Sequence, residues 1–162
     1  MKRWIAFLLA ALMLLTVTGC GSSDNKETQP AEEAPKTVDL PALYDTLLAQ
    51  MPEMILLDED MMLNFCGIAP EDCKVSRVAT CADGLRTDEL WVIVAADADA
   101  LARLTEMAET RLRMKGEESI TYSPEQYAVV QKAELITEGL MLILIVSPDV
   151  ETMTQTAMEA IG

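Results

Sequence analysis

Histidine is absent from this 162-residue chain. Its absence removes the commonest general base, the Ser-His and Cys-His nucleophile pairs, and the side chain that titrates near neutral pH. There is no Cys-x-x-Cys pair either, so a zinc site is excluded as well. Positive charge is scarce: 12 Lys and Arg stand against 27 Asp and Glu, a formal net charge of −15. A chain this acidic has no basic face for nucleic acid and is repelled by anionic lipid headgroups. The same charge keeps a surface protein soluble, or suits a cationic partner such as a basic wall polymer or a divalent ion. No motif calls for a cofactor, and carboxylate-only catalysis is the enzyme chemistry that survives these absences.

What is present begins with an address. Met1, Lys2 and Arg3 are followed by an uncharged apolar run from Trp4 to Val17, the layout of a secretory signal. Val17-Thr18-Gly19-Cys20 then resembles the lipobox of bacterial lipoproteins. The resemblance implies a signal peptide over 1–19, removal of that peptide, and a diacylglycerol on Cys20. An ordinary signal peptide and an uncleaved spanning helix are the alternatives. The second would need about 20 apolar residues, more than this run supplies. Two acyl chains, at about 0.8 kcal/mol per buried CH2, anchor stably where one does not. The expected location is therefore extracytoplasmic, on the outer face of the cell membrane, with the membrane itself a partner through the lipid on Cys20.

Residues 20–37 comprise that cysteine and a stretch, GSSDNKETQPAEEAPKT, without a large apolar side chain. Such a composition cannot offset ordering entropy and reads as a disordered tether. Its typical reach is roughly 20–25 Å, or about 60 Å if pulled straight. Residues 38–162 are enough for one domain with a real core. Three cysteines remain there, Cys66, Cys73 and Cys81. The odd count argues against a full disulfide framework. Free, buried thiols are expected, with a Cys66–Cys73 bridge as the alternative.

Within the domain, Asp39 caps a helix carrying Leu40, Leu43, Tyr44, Leu47 and Leu48 at helical spacing. Residues 53–65 are ambiguous between a short strand or bend and a helical turn. Strands follow at 73–81 and from Leu90 to Ala96. Asp97 caps a helix to about Lys115, and Ser123-Pro124-Glu125-Gln126 is a capping box opening a short helix. Strands at 133–137 and 140–147, joined across Glu138-Gly139, precede a last helix from Ser147. Two hairpins separated by a helical crossover predict an α+β domain, with a four-stranded, mostly antiparallel sheet and helices packed on it.

Gly67-Ile68 before an acidic turn, Asp88-Glu89 leading into a strand, Arg111, then Tyr122, Pro124, Glu125 and the Gly139 hairpin together resemble domain of unknown function 4358, a family of small bacterial surface lipoproteins. The resemblance runs from about Val38 to Met153 and implies a tethered envelope domain, with no activity attached. The densest carboxylates, Asp58-Glu59-Asp60 and Asp97/Asp99, lack the alternating ligands and central glycine of a calcium loop. No metal site or catalytic residue is therefore assigned. A non-catalytic binding or interaction module is expected, its partner an envelope protein, a wall polymer or a small ligand. The alternative is a carboxylate-dependent enzyme acting on a glycan or wall component.

One polar cluster follows from lengths and from Arg111 continuing the inward stripe of Leu104 seven residues on, the alternative being that Glu89 points to the opposite face. From Glu89 up the strand to Asp97 is roughly 26 Å. Arg111 lies roughly 21 Å back along the next helix. An antiparallel fold-back thus predicts a Glu89–Arg111 pair, with the Tyr122 hydroxyl close by. The address has its own test. Cys20→Ala is expected to abolish incorporation of labelled fatty acid and either release the domain or leave it uncleaved; a processed, acylated mutant would remove the lipobox reading.

Overall fold

Asp39 opens the first helix, α1 (Leu40–Leu48), by accepting the Ala42 amide at 3.1 Å. Residues 38–162 are the ones described in this computed structural model. The signal segment 1–19, Cys20 and the tether to residue 37 lie outside the described residues. After α1 come β1 (Met54–Leu56), a short turn of helix α2 (Glu59–Met61), a π-helical turn (Met62–Cys66) and a 3-10 turn (Pro70–Asp72). Then follow β2 (Cys73–Cys81), β3 (Glu89–Ala95), α3 (Ala98–Tyr122), α4 (Pro124–Gln131), β4 (Glu134–Glu138), β5 (Met141–Val146) and α5 (Val150–Ile161).

The sheet has five strands in the order β1-β2-β3-β5-β4, and each neighbouring pair is antiparallel. The α+β class stands, but four strands must be corrected to five. The extra one is β1, whose three residues pair with the far end of β2, Met54 opposite Cys81 and Leu56 opposite Ala79. Three consecutive apolar residues carry no period, so only the partner strand makes this segment a strand.

Alternation along the inner strands sorts side chains to two sides. Trp91, Ile93 and Ala95 of β3, with Leu142, Leu144 and Val146 of β5, face a core shared with Leu104 and Ala108 of α3. Leu90, Val92, Ile143 and Ile145 face the opposite core, closed by Leu43, Tyr44 and Leu47 of α1 and by Val150, Met153 and Ala157 of α5. By the same parity Glu89, two residues before Trp91, is directed to the α3 side.

The crossover helix runs through Tyr122 rather than stopping near Lys115. Gly116 reads as a terminator in sequence, yet it lies buried mid-helix where α3 meets Tyr127, Val130 and Gln131 of α4. The capping box is half made. Ser123 Oγ accepts the Gln126 amide at 3.3 Å, but Gln126 Oε1 accepts from the Thr87 amide instead of closing the box.

An added Cβ at Gly116 would sit 3.7 Å from its nearest neighbour, Tyr127 Cε2, an ordinary contact distance. Gly116→Ala should therefore raise stability by about 0.5–1 kcal/mol, the usual gain from replacing a helical glycine. Urea denaturation checks the sign, and a loss would mean that the α3–α4 contact is too tight for a methyl group.

Candidate functional site

Glu89 stands at the first position of β3 with no exposure to solvent. An isolated carboxylate there would be costly, and it is answered by three donors. Trp91 Nε1, on the same face of the same strand, donates to Oε1 at 2.8 Å. From α3, Arg111 Nη2 donates to Oε2 at 2.9 Å and its Nε lies 3.1 Å from Oε1. Lys115 Nζ, one helical turn further on, is 2.8 Å from Oε2. Burial alone would push the Glu89 carboxyl up. The Lys115 charge and the Arg111 hydrogen bonds and charge outweigh it, and hold the group below its ordinary value.

Both cations also tie down backbone. Arg111 Nη1 donates to the Phe65 carbonyl at 3.3 Å, and Lys115 Nζ to the Thr87 carbonyl at 3.1 Å. Thr87 is in turn held from α4, its amide 2.8 Å from Gln126 Oε1. Two further ion pairs flank the cluster. Arg86 is bidentate on the buried Asp88, at 2.9 and 3.0 Å, and Arg103 of α3 holds the nearly buried Asp72. The Arg103 hydrogen bonds keep the Asp72 carboxyl below its ordinary value.

Of the three residues that sequence reasoning grouped, the structure brings Glu89 and Arg111 together. Tyr122 is 54% exposed in the last turn of α3 and makes no side-chain hydrogen bond to either, but it lines a hollow shared with Arg111 and Lys115; the third charged member of the cluster is Lys115. Lys115 and Trp91 were open to inference. One is four residues beyond Arg111 on a helix and the other two residues beyond Glu89 on a strand, so each shares its partner's face. Asp58 and Asp97 serve as N-caps, accepting the Met61 and Ala100 amides at 2.8 Å each. Cys66, Cys73 and Cys81 carry no disulfide. Burial, reinforced by nearby Glu89 and only partly offset by Arg111 and Lys115, pushes the Cys66 thiol up to about 12. It is a neutral, packed thiol and a poor nucleophile.

Beside this cluster lies a cleft of about 560 Å3 between the π-helical turn and α3. One wall is Leu63 to Gly67; the other is the α3 face carrying Arg103, Glu106, Met107, Thr110, Arg111 and Met114. The π-helical turn buries Met62 and Cys66 while leaving Leu63 48% and Phe65 62% exposed. Gly67 ends the turn at φ 75°, a left-handed conformation open to glycine at little cost. A second hollow of about 250 Å3, on the β1 side of Phe65, is lined by Ile55, Leu57, Met61, Thr80 and Arg111. Phe65 thus stands as a ridge between two apolar hollows, with its carbonyl fixed by Arg111.

A three-layer α+β sandwich, with an ion-bound carboxylate at the start of its central strand and an apolar cleft beside it, is the class that fold and site define. The chain belongs to the family described as Domain of unknown function (DUF4358), matched over residues 49–147. Gly67, Asp88, Glu89, Arg111, Tyr122, Pro124, Glu125 and Gly139 fall within that span. No curated protein and no solved structure matches the chain.

Because Glu89 is buried and braced, losing one partner should be far costlier than breaking a surface pair. Glu89→Ala is expected to lose about 3–5 kcal/mol. Arg111→Ala should be coupled to it by more than about 1 kcal/mol in a double-mutant cycle. The folded carboxyl lies below its unfolded value of about 4.3. Its contribution is therefore complete above that pH and is lost as pH falls through the folded value. Urea titrations from pH 7 to pH 3 should show a shallower acid limb for Glu89→Gln; additive losses and an unchanged limb would make the cluster an ordinary surface pair.

Proposed function

We propose that this chain is a lipoprotein anchored through Cys20 on the outer face of a membrane, and that its domain is a non-catalytic binding module working through the cleft beside Phe65. The lipobox-like Val17–Cys20 segment behind an apolar run supports the anchor. The observation that carries the binding reading is the Leu63–Phe65 ridge, two large apolar side chains held out to solvent by a π-helical turn whose backbone is pinned from α3. Single π-helical turns are frequent at functional sites, and exposed apolar ground with a polar rim is characteristic of interaction surfaces.

The neighbouring chemistry favours binding over turnover. Glu89 has its oxygens engaged by Trp91, Arg111 and Lys115, Cys66 is held as a neutral thiol, and Glu106 is the carboxylate in the wall of the cleft. Carboxylate catalysis on glycans instead requires a pair of carboxyl groups flanking the scissile bond.

The test is a photo-cross-linking residue placed at Phe65 or at Met158, which is exposed on α5 across the sheet. In intact cells, adducts are expected from position 65 and not from position 158. Equal adducts from both positions, or none from position 65, would overturn the reading.

A further inference from the structure

Resting on that reading, we infer that the cleft receives a basic amphipathic segment of a partner protein, apolar side chains inward and Lys or Arg outward. The first ground is charge. Exposed Asp58, Glu59 and Asp60 lead directly into Met61, Glu71 stands on the turn packed against α3, and Glu106 lies in the cleft wall. Of the two arginines of that wall, Arg103 is bound to Asp72, while Arg111 shares Glu89 with Lys115, so that cluster keeps one positive charge against these carboxylates. The result is an apolar cleft with exposed carboxylates on the turns next to it in sequence, on a chain of net charge −15. An acidic partner, or a second copy of this chain, would meet like charge on arrival, whereas a basic one is drawn in.

The second ground is the lining. Met107 and Met114 face the cleft from α3, and Met61 lines the hollow on the other side of Phe65. Methionine is unbranched and polarizable, and it repacks around apolar anchors of differing shape, which suits a surface taking an amphipathic helix. The third is length. The α3 wall from Arg103 to Met114 spans about 16 Å at 1.5 Å per residue, or about three turns. A helix laid along it would place three or four anchors at i, i+3 or i+4, and i+7. The Phe65 ridge sits between two such anchors.

The experiment uses the full lipidated chain in phosphatidylcholine nanodiscs, with empty nanodiscs subtracted, and three fluorescent peptides read by anisotropy. One peptide has Leu at helical spacing on a Lys background, one has Glu in place of Lys, and one is Lys without Leu. The Leu/Lys peptide is expected to bind saturably, the Leu/Glu peptide not to bind, and the Lys-only peptide to bind weakly. Leu63→Ala with Phe65→Ala should weaken the Leu/Lys peptide at least tenfold and leave the Lys-only peptide unchanged. Glu59→Gln with Glu106→Gln, which spares the apolar ridge, should weaken it at least threefold. Equal affinity for Leu/Lys and Leu/Glu, or equal affinity for Leu/Lys and Lys-only as a cationic polymer would show, overturns the inference. So does Leu/Lys binding that is indifferent to the Leu63 and Phe65 changes. Cross-links from position 65 in cells alongside a failed peptide would remove this partner chemistry and keep the binding module; failure of both removes both.

Discussion

Glu89 is a charge with no water, placed where β3 begins, and its neutralisation sets the position of nearly everything around it. Removing a carboxylate from solvent costs several kcal/mol, and only close, well-aligned cations and donors offset it. One donor comes from the strand itself, in Trp91, and two come from α3, in Arg111 and Lys115. That fixes the rotation of α3 about its axis, since positions 111 and 115 must both point at the start of the strand. The same cations reach past Glu89 to the carbonyls of Phe65 and Thr87, so the π-helical turn and the loop before β3 take their places from the same charge. Through Thr87 and Gln126 the constraint extends to α4. An apolar side chain at position 89 would satisfy the core and orient none of these.

Where the sequence carried a period or a cap, its reading and the structure coincide. Asp39, Asp97 and Ser123 cap their helices, and the two hairpins hold the inner strands. The departures occur where a local signal is overruled by a distant partner. β1 is a strand only because the end of β2 has a free edge beside it. Gly116 suggests an end to α3, yet it lets α4 approach. Gln126 has the spacing to close a capping box, yet the Thr87 amide takes its oxygen.

The candidate site divides in the same way. Lengths of strand and helix, with the stripe through Leu104, were enough to bring Glu89 opposite Arg111, because both elements are regular. Tyr122 shares the face of Arg111, but about three turns further along α3 it stands half exposed at the helix end, beside the cluster rather than bonded into it. The Leu63–Phe65 ridge had no signal to find. Met62 and Cys66, four residues apart, face inward while the residues between them are turned out, and a turn of five residues is too short for that spacing to be read as a period. Its position depends on an arginine 46 residues away in sequence.

The two-sided core also decides how the domain would carry a load. Tension along the chain that precedes Val38 arrives at α1, which packs on the sheet face opposite the cleft through Leu43, Tyr44 and Leu47. No strand is continuous with the loaded end. A strand pulled at its terminus can unzip one hydrogen bond at a time, but a helix seated by several buried side chains must detach as a unit. Such a pull would be borne first by that apolar seat, while the ridge and its arginine, on the other face of the five-stranded sheet, keep their shape until the seat gives way.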